Sequence, residues 1–143
     1  MEKVVNAGLP VSRHDLLQSQ RALANLGNVQ LPVEKERYWL AKTLGKLNRA
    51  LAKELNASQE ESNRLITLHG TDTLDEKGEK TGQKGIQKTD IATMKLYTDA
   101  MEKFNSETVT VFGARRVPLA ALQNAGVVLP LADQAALEWL LEE

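Results

Sequence analysis

None of the 143 residues stands in a local pattern suited to moving a proton or holding a metal. The two histidines, His14 and His69, stand on different segments, so a metal site or catalytic His pair would need the fold to unite them. Cysteine is absent, which excludes disulfides and thiolate metal sites and suits a reducing compartment. Asp72-Thr73-Leu74-Asp75 lacks the alternating oxygen ligands before a glycine that a calcium loop needs. Gly78-Glu79-Lys80-Thr81-Gly82 has a phosphate loop's glycines, but Glu79 stands where glycine must precede Lys-Ser/Thr, and it repels phosphate. Glu60 and Glu61 are adjacent and so face different sides of a helix, which rules out a carboxylate pair. No nucleophile elbow occurs. The sequence therefore points to no catalytic residue, no cofactor site and no metal site, and to a protein that is not an enzyme.

Gripping charge is another matter. Lys35, Lys42, Lys46, Arg49, Lys53 and Arg64 share one side of a helical wheel. Lys42, Lys46, Arg49 and Lys53 fall within roughly 60° of one another. Trp39 sits at one edge of this basic face, and Tyr38 flanks the other. Cations with an interleaved aromatic can hold a phosphate backbone and stack a base, or grip an acidic protein surface. The bland alternative is a solvated helix face with Trp39 packed under a neighbouring helix. A second candidate surface is Phe112-Gly113-Ala114-Arg115-Arg116, where paired arginines on a tight turn offer planar forks for carboxylate or phosphate. Its alternative is an exposed hairpin turn kept soluble by its charges.

The basic face needs a long helix to carry it. Leu40, Leu44, Leu47, Leu51 and Leu55 recur at steps of four, three, four and four. They fall within roughly 80° of one another, about 180° from the cations. Leu31-Pro32 opens this helix, since proline is tolerated where an amide has no intrahelical partner. It runs toward His69-Gly70 with contacts at Leu65 and Leu68. Ser58 and Glu61 have the spacing of a capping box, so the pattern fits two pieces broken near Asn56 as well as one bent helix.

Around it, residues 1–10 read as a short lead. Ser12 caps a first helix carrying Leu16, Leu23 and Leu26, and Gly27-Asn28 ends it in left-handed geometry. Residues 71–89, rich in glycine and charge, predict an exposed, mobile loop with room for a small hairpin about Gly78. Asp90 caps a helix with Met94, Tyr97, Met101 and Phe104 on one face. Thr108–Phe112 alternates like a strand, with Arg116-Val117 as its returning partner. Pro118 starts a short helix closed by Gly126, Val127–Leu131 is extended, and a terminal helix from Ala132 or Asp133 carries Leu137, Leu140 and Leu141. The fold class expected is mainly α: one small helical domain over 1–143, with a long amphipathic central helix and a minor β-hairpin near the C-terminus.

Composition sets the frame. Hydrophobic residues make up 42% and charged residues 26%, an ordinary globular balance, while aromatics at 4% leave packing to Leu and Ala. A net charge of −1 gives no global field toward nucleic acid or membrane. The N-terminus lacks the apolar stretch of a signal peptide, and no run approaches the ~18 apolar residues of a membrane helix. A soluble protein is expected.

The order of several short features resembles a family of small phage proteins of unassigned function. The matching residues are Leu31-Pro32, Tyr38, Leu40-Ala41-Lys42, Arg64-Leu65-Ile66, Gly70, Glu107-Thr108-Val109-Thr110-Val111, Val117-Pro118-Leu119 and Leu137-Glu138-Trp139-Leu140-Leu141. They cover most of the chain from residue 31. The resemblance implies a phage origin and carries over no catalytic residue. The expectation is a phage-encoded, non-enzymatic interaction protein, in virion assembly or as a minor structural component. It would lie in the host cytoplasm or in the virion, bound to itself or to another phage or host protein. The alternative is a small regulator binding a host enzyme or nucleic acid through the basic helix face.

Overall fold

Ser12 begins the first helical segment as its position predicts. Its side chain accepts a hydrogen bond from the Asp15 amide at 3.1 Å, satisfying one of the donors left free at a helix start. The computed structural model describes residues 8–143. Their elements are β1 (Leu9–Ser12), α1 (Arg13–Gln18), α2 (Gln20–Leu26), α3 (Glu34–His69), β2 (Thr71–Leu74), β3 (Lys80–Gly85), α4 (Ile91–Asn105), β4 (Thr108–Val111), β5 (Val117–Pro118), α5 (Leu119–Asn124), α6 (Leu131–Ala136) and β6 (Leu141–Glu142). The class is mainly α with a long central helix. Of the lead expected over 1–10, residues 1–7 lie outside the described residues, and Leu9 and Pro10 belong to a strand.

Where one helix is expected after Ser12, there are two, broken at Ser19. The Ser19 hydroxyl faces the Asp15 carbonyl one turn back and the Ala136 carbonyl at 2.9 Å, so this side chain competes with the helical ladder. Gly27 ends α2 in right-handed geometry (φ −64°, ψ −18°), not the left-handed form. The Asn28 and Val29 amides close short turns on the Asn25 and Leu26 carbonyls, so no positive φ is needed.

α3 is one continuous helix through Asn56. The Val33 carbonyl accepts from the Arg37 amide at 3.0 Å, just after Pro32. Ser58 and Glu61 make no capping box, and Glu61 pairs with Arg64 one turn on. Leu40, Leu44, Leu47 and Leu51 are buried as the stripe predicts, but Leu55 and Leu68 are exposed. Thr43 and Glu54 are the buried polar residues of α3, which turns the inward face away from Leu55. Glu54 Oε1 lies 3.7 Å from the Arg13 guanidinium.

The chain forms two compact units. One holds the described residues up to Glu54 together with Thr108–Glu143. In it β1 pairs antiparallel with β4, from Leu9 opposite Val111 to Ser12 opposite Thr108. β5 pairs in parallel with β6. Thr108–Val111 is thus a strand as expected, but its partner is β1, not Arg116-Val117, and no hairpin forms near the C-terminus. α5 follows Pro118, and Gly126 (φ 73°) closes it. α6 is shorter than the expected terminal helix. Leu137 and Leu140 are buried in the turn beyond it, where Arg116 takes the carbonyls of Glu138 and Leu141. The core gathers Leu16, Leu23, Leu26, Leu31, Leu47, Leu122, Leu137 and Leu140, each at most 1% exposed.

The other unit is Leu55–Glu107. Here the segment expected as an exposed loop with room for a small hairpin about Gly78 holds that hairpin, the antiparallel pair β2–β3. The Asp75 carboxylate accepts from the Lys77 and Glu79 amides, both at 2.9 Å, and Gly78 supplies the positive φ of 77° that the turn requires. Asp90 caps α4 by accepting from the Thr93 amide at 3.2 Å. Met94, Tyr97, Met101 and Phe104 form its half-buried face, and the Tyr97 and Ser62 hydroxyls lie 2.6 Å apart.

Candidate functional site

The two surfaces singled out in the sequence meet. The Arg115 guanidinium carbon lies over the Trp39 ring, 4.7 Å from its centroid, within the range in which a cation is drawn to an indole face. The turn before it touches α3 as well. Gly113 has φ 83°, and a side chain placed there would come within 3.3 Å of the Lys46 Cε atom. Glycine is thus favoured by the left-handed backbone, and a Cβ there would press on the Lys46 stem. Lys46 is half-buried as a result, its stem covering the turn.

Lys35, Lys42, Arg49, Lys53 and Arg115 are exposed. Among the described residues neither these nor Lys46 takes part in an ion pair. From Arg37 to Lys53 the chain contains no Asp or Glu, so the local field is positive although the whole chain is nearly neutral. Arg49 Nε donates to the Gly45 carbonyl at 3.3 Å, steadying that side chain along its own helix. Trp39 is half-buried against the edge of the core, and Tyr38 and Phe112 are 70% and 65% exposed. The result is a cationic surface with aromatics at its rim. Beside it lies a groove of about 420 Å³ lined by Trp39, Arg115, Arg116, Pro118 and Glu142.

The paired arginines divide their work. Arg115 covers Trp39, while Arg116 Nη2 donates to the Leu141 carbonyl at 2.8 Å and the Glu138 carbonyl at 3.4 Å. Arg116 thereby fastens the start of β5 to the C-terminal segment.

A second groove, of about 690 Å³, was not legible in the sequence. His14, Asp15 and Gln18 of α1 form one wall; Arg116, Ala135, Ala136, Glu138 and Trp139 form the other. The Trp139 indole N–H donates to the Ser19 hydroxyl at 2.8 Å and lies 3.0 Å from the Ala136 carbonyl, which fixes the ring. Segments more than a hundred residues apart build this groove, so no local spacing could announce it.

The remaining chemistry-bearing residues are dispersed. His14 is exposed in the first turn of α1, and His69 is the exposed last residue of α3. Arg64 of the basic face is held by Glu61. Asp72 pairs with Lys80 across the hairpin at 3.3 Å. Gly78–Gly82 spans the hairpin turn and the start of β3, not the start of a helix where a phosphate would sit. No helix among the described residues is long and apolar enough to cross a membrane. Against family models, curated proteins and solved structures, the chain has no match.

Proposed function

We propose that this chain is a non-enzymatic interaction protein of phage origin. It acts in virion assembly or as a minor structural component, and grips an acidic protein surface with the patch of Lys42, Lys46, Arg49, Trp39 and Arg115. The observation that carries the reading is the Arg115–Trp39 stack, which joins the basic helix and the arginine turn into one surface. An interface rich in arginine and aromatic side chains, set before the partner arrives, loses little entropy on binding. The stack also favours protein over nucleic acid. The guanidinium already covers a face of Trp39, so a base stacking there would have to displace it. The phage assignment rests on the order of short motifs from Leu31-Pro32 to the leucine-rich C-terminal segment.

Charge reversal tests the patch. Lys46→Glu with Arg49→Glu should weaken capture of polyglutamate, an acidic polypeptide probe, by about tenfold or more at low salt. The loss should shrink as salt screens exposed charges. Unchanged capture at low salt removes the patch from the reading. Mass spectrometry of purified particles tests the role: presence in virions supports assembly. Absence there, with co-purification of a host enzyme, transfers the reading to a host-directed regulator working from the host cytoplasm.

A further inference from the structure

The cationic patch and the groove beside α1 are neighbours, because Arg116 lines both the 420 Å³ groove at Trp39 and the 690 Å³ groove at Trp139. The patch is cationic, whereas the larger groove is net acidic: two carboxylates line it against the one guanidinium of Arg116, with His14 beside them. Asp15 and Glu138 line the larger groove, and among the described residues neither is in an ion pair. The arginine in that groove is held by backbone carbonyls of the C-terminal segment. Trp139 completes the site. Its indole N–H points inward to Ser19, so the ring is a fixed platform for an incoming cation, as Trp39 is for Arg115.

Resting on the reading of the patch as a contact surface, we propose that its partner is a second copy of this chain. The patch of each copy docks in the groove of the other about a two-fold axis. Two adjacent surfaces of opposite sign are self-complementary under such a rotation, since whatever residue i meets in its partner, that residue also meets in return. The groove is large enough to accept an arginine or lysine side chain between its carboxylates and the indole. A net charge of −1 leaves no long-range repulsion between copies. The polar lining also explains why this contact needs no large apolar patch: charge pairing sets the register.

Sedimentation equilibrium decides the matter, using the full chain and two variants, each confirmed folded by circular dichroism. The groove variant is Asp15→Asn with Glu138→Gln; the patch variant is Lys46→Glu with Arg49→Glu, or Arg49→Glu alone if the pair unfolds. The wild type should be a dimer at low salt that dissociates as salt rises. Each variant alone should weaken dimerisation by about tenfold or more. Mixed in equal amounts they should form a heterodimer of intermediate strength, because one of its two half-interfaces keeps both native sides. A monomeric wild type at low salt overturns the inference, as does a dimer indifferent to both variants. So does a pair of folded monomeric variants whose mixture stays monomeric. Polyglutamate capture separates this failure from that of the patch itself: a monomeric wild type whose capture is lost on patch reversal still uses the patch, for a different partner.

Discussion

In the unit that holds the described residues up to Glu54 and Thr108–Glu143, eighteen of the described apolar residues are buried in one cluster; in Leu55–Glu107, Leu65 alone is buried. α4 buries no residue, and Leu68, Leu74, Ile91 and Leu96 are all more than half exposed. The first unit is held by removal of leucine from water, the strongest driving force in folding. The second is held largely by local hydrogen bonds: helical turns, the Asp75 turn and the Asp90 cap. Local bonds of this kind contribute about 1 kcal/mol each and open without their neighbours. Lys42, Lys46, Arg49, Trp39 and Arg115, the proposed contact surface, all belong to the well-packed unit.

The largest effect should come from the core. Leu47→Ala should cost about 2–5 kcal/mol in urea denaturation, whereas Leu96→Ala should cost less than about 0.5 kcal/mol. Equal costs would erase the distinction between the units. Hydrogen exchange and limited trypsin digestion should sharpen it. Amides of β2 and β3 should exchange well before those of α3 near Leu47, and the first cuts should fall at Lys77, Lys80 or Lys84. A first cut between residues 40 and 55 would contradict the contrast. A smaller loss should follow Trp139→Phe, which keeps an aromatic ring but removes the donor to Ser19. About 1–2 kcal/mol is expected from thermal melts compared with wild type. The smallest effect should be at Asp90. The Thr93 hydroxyl and then its backbone amide stabilise the carboxylate and hold its pKa below the ordinary value. A folded pKa below the unfolded one means that the cap's contribution is full above the unfolded carboxyl range and is lost as pH falls through the folded pKa. Helical ellipticity should therefore drop slightly on acidification, and Asp90→Asn, an uncharged cap, should remove the part of that drop belonging to α4.

What was legible in the sequence lay within individual elements. The burial of Leu40 to Leu51, the Ser12 and Asp90 caps and the β-alternation of Thr108–Val111 follow from side-chain period and local bonding, and the structure has them. Ser58 and Glu61 misled because a capping box also needs non-helical backbone at the serine, and the good helix formers around them keep the ladder intact. The residue types of the proposed contact surface were legible, but the meeting of Arg115 with Trp39 was not, because it joins positions far apart in the chain. The same holds for β1 with β4, for the Ser19 break, whose cause is a carbonyl at Ala136, and for the groove at Trp139.

That separation in sequence has a kinetic consequence. On the ribosome, every residue of Leu55–Glu107 emerges before Thr108, so this thinly packed unit is complete while its companion still lacks β4, β5, α5, α6 and β6. β1 must wait for a partner about a hundred residues downstream, and Leu16, Leu23 and Leu26 must wait for Leu137 and Leu140. Such non-local closure slows folding because chain entropy is lost before contacts reward it. At roughly 5–20 residues per second, the N-terminal leucines stay uncovered for several seconds of translation, the interval in which a chaperone has most to do.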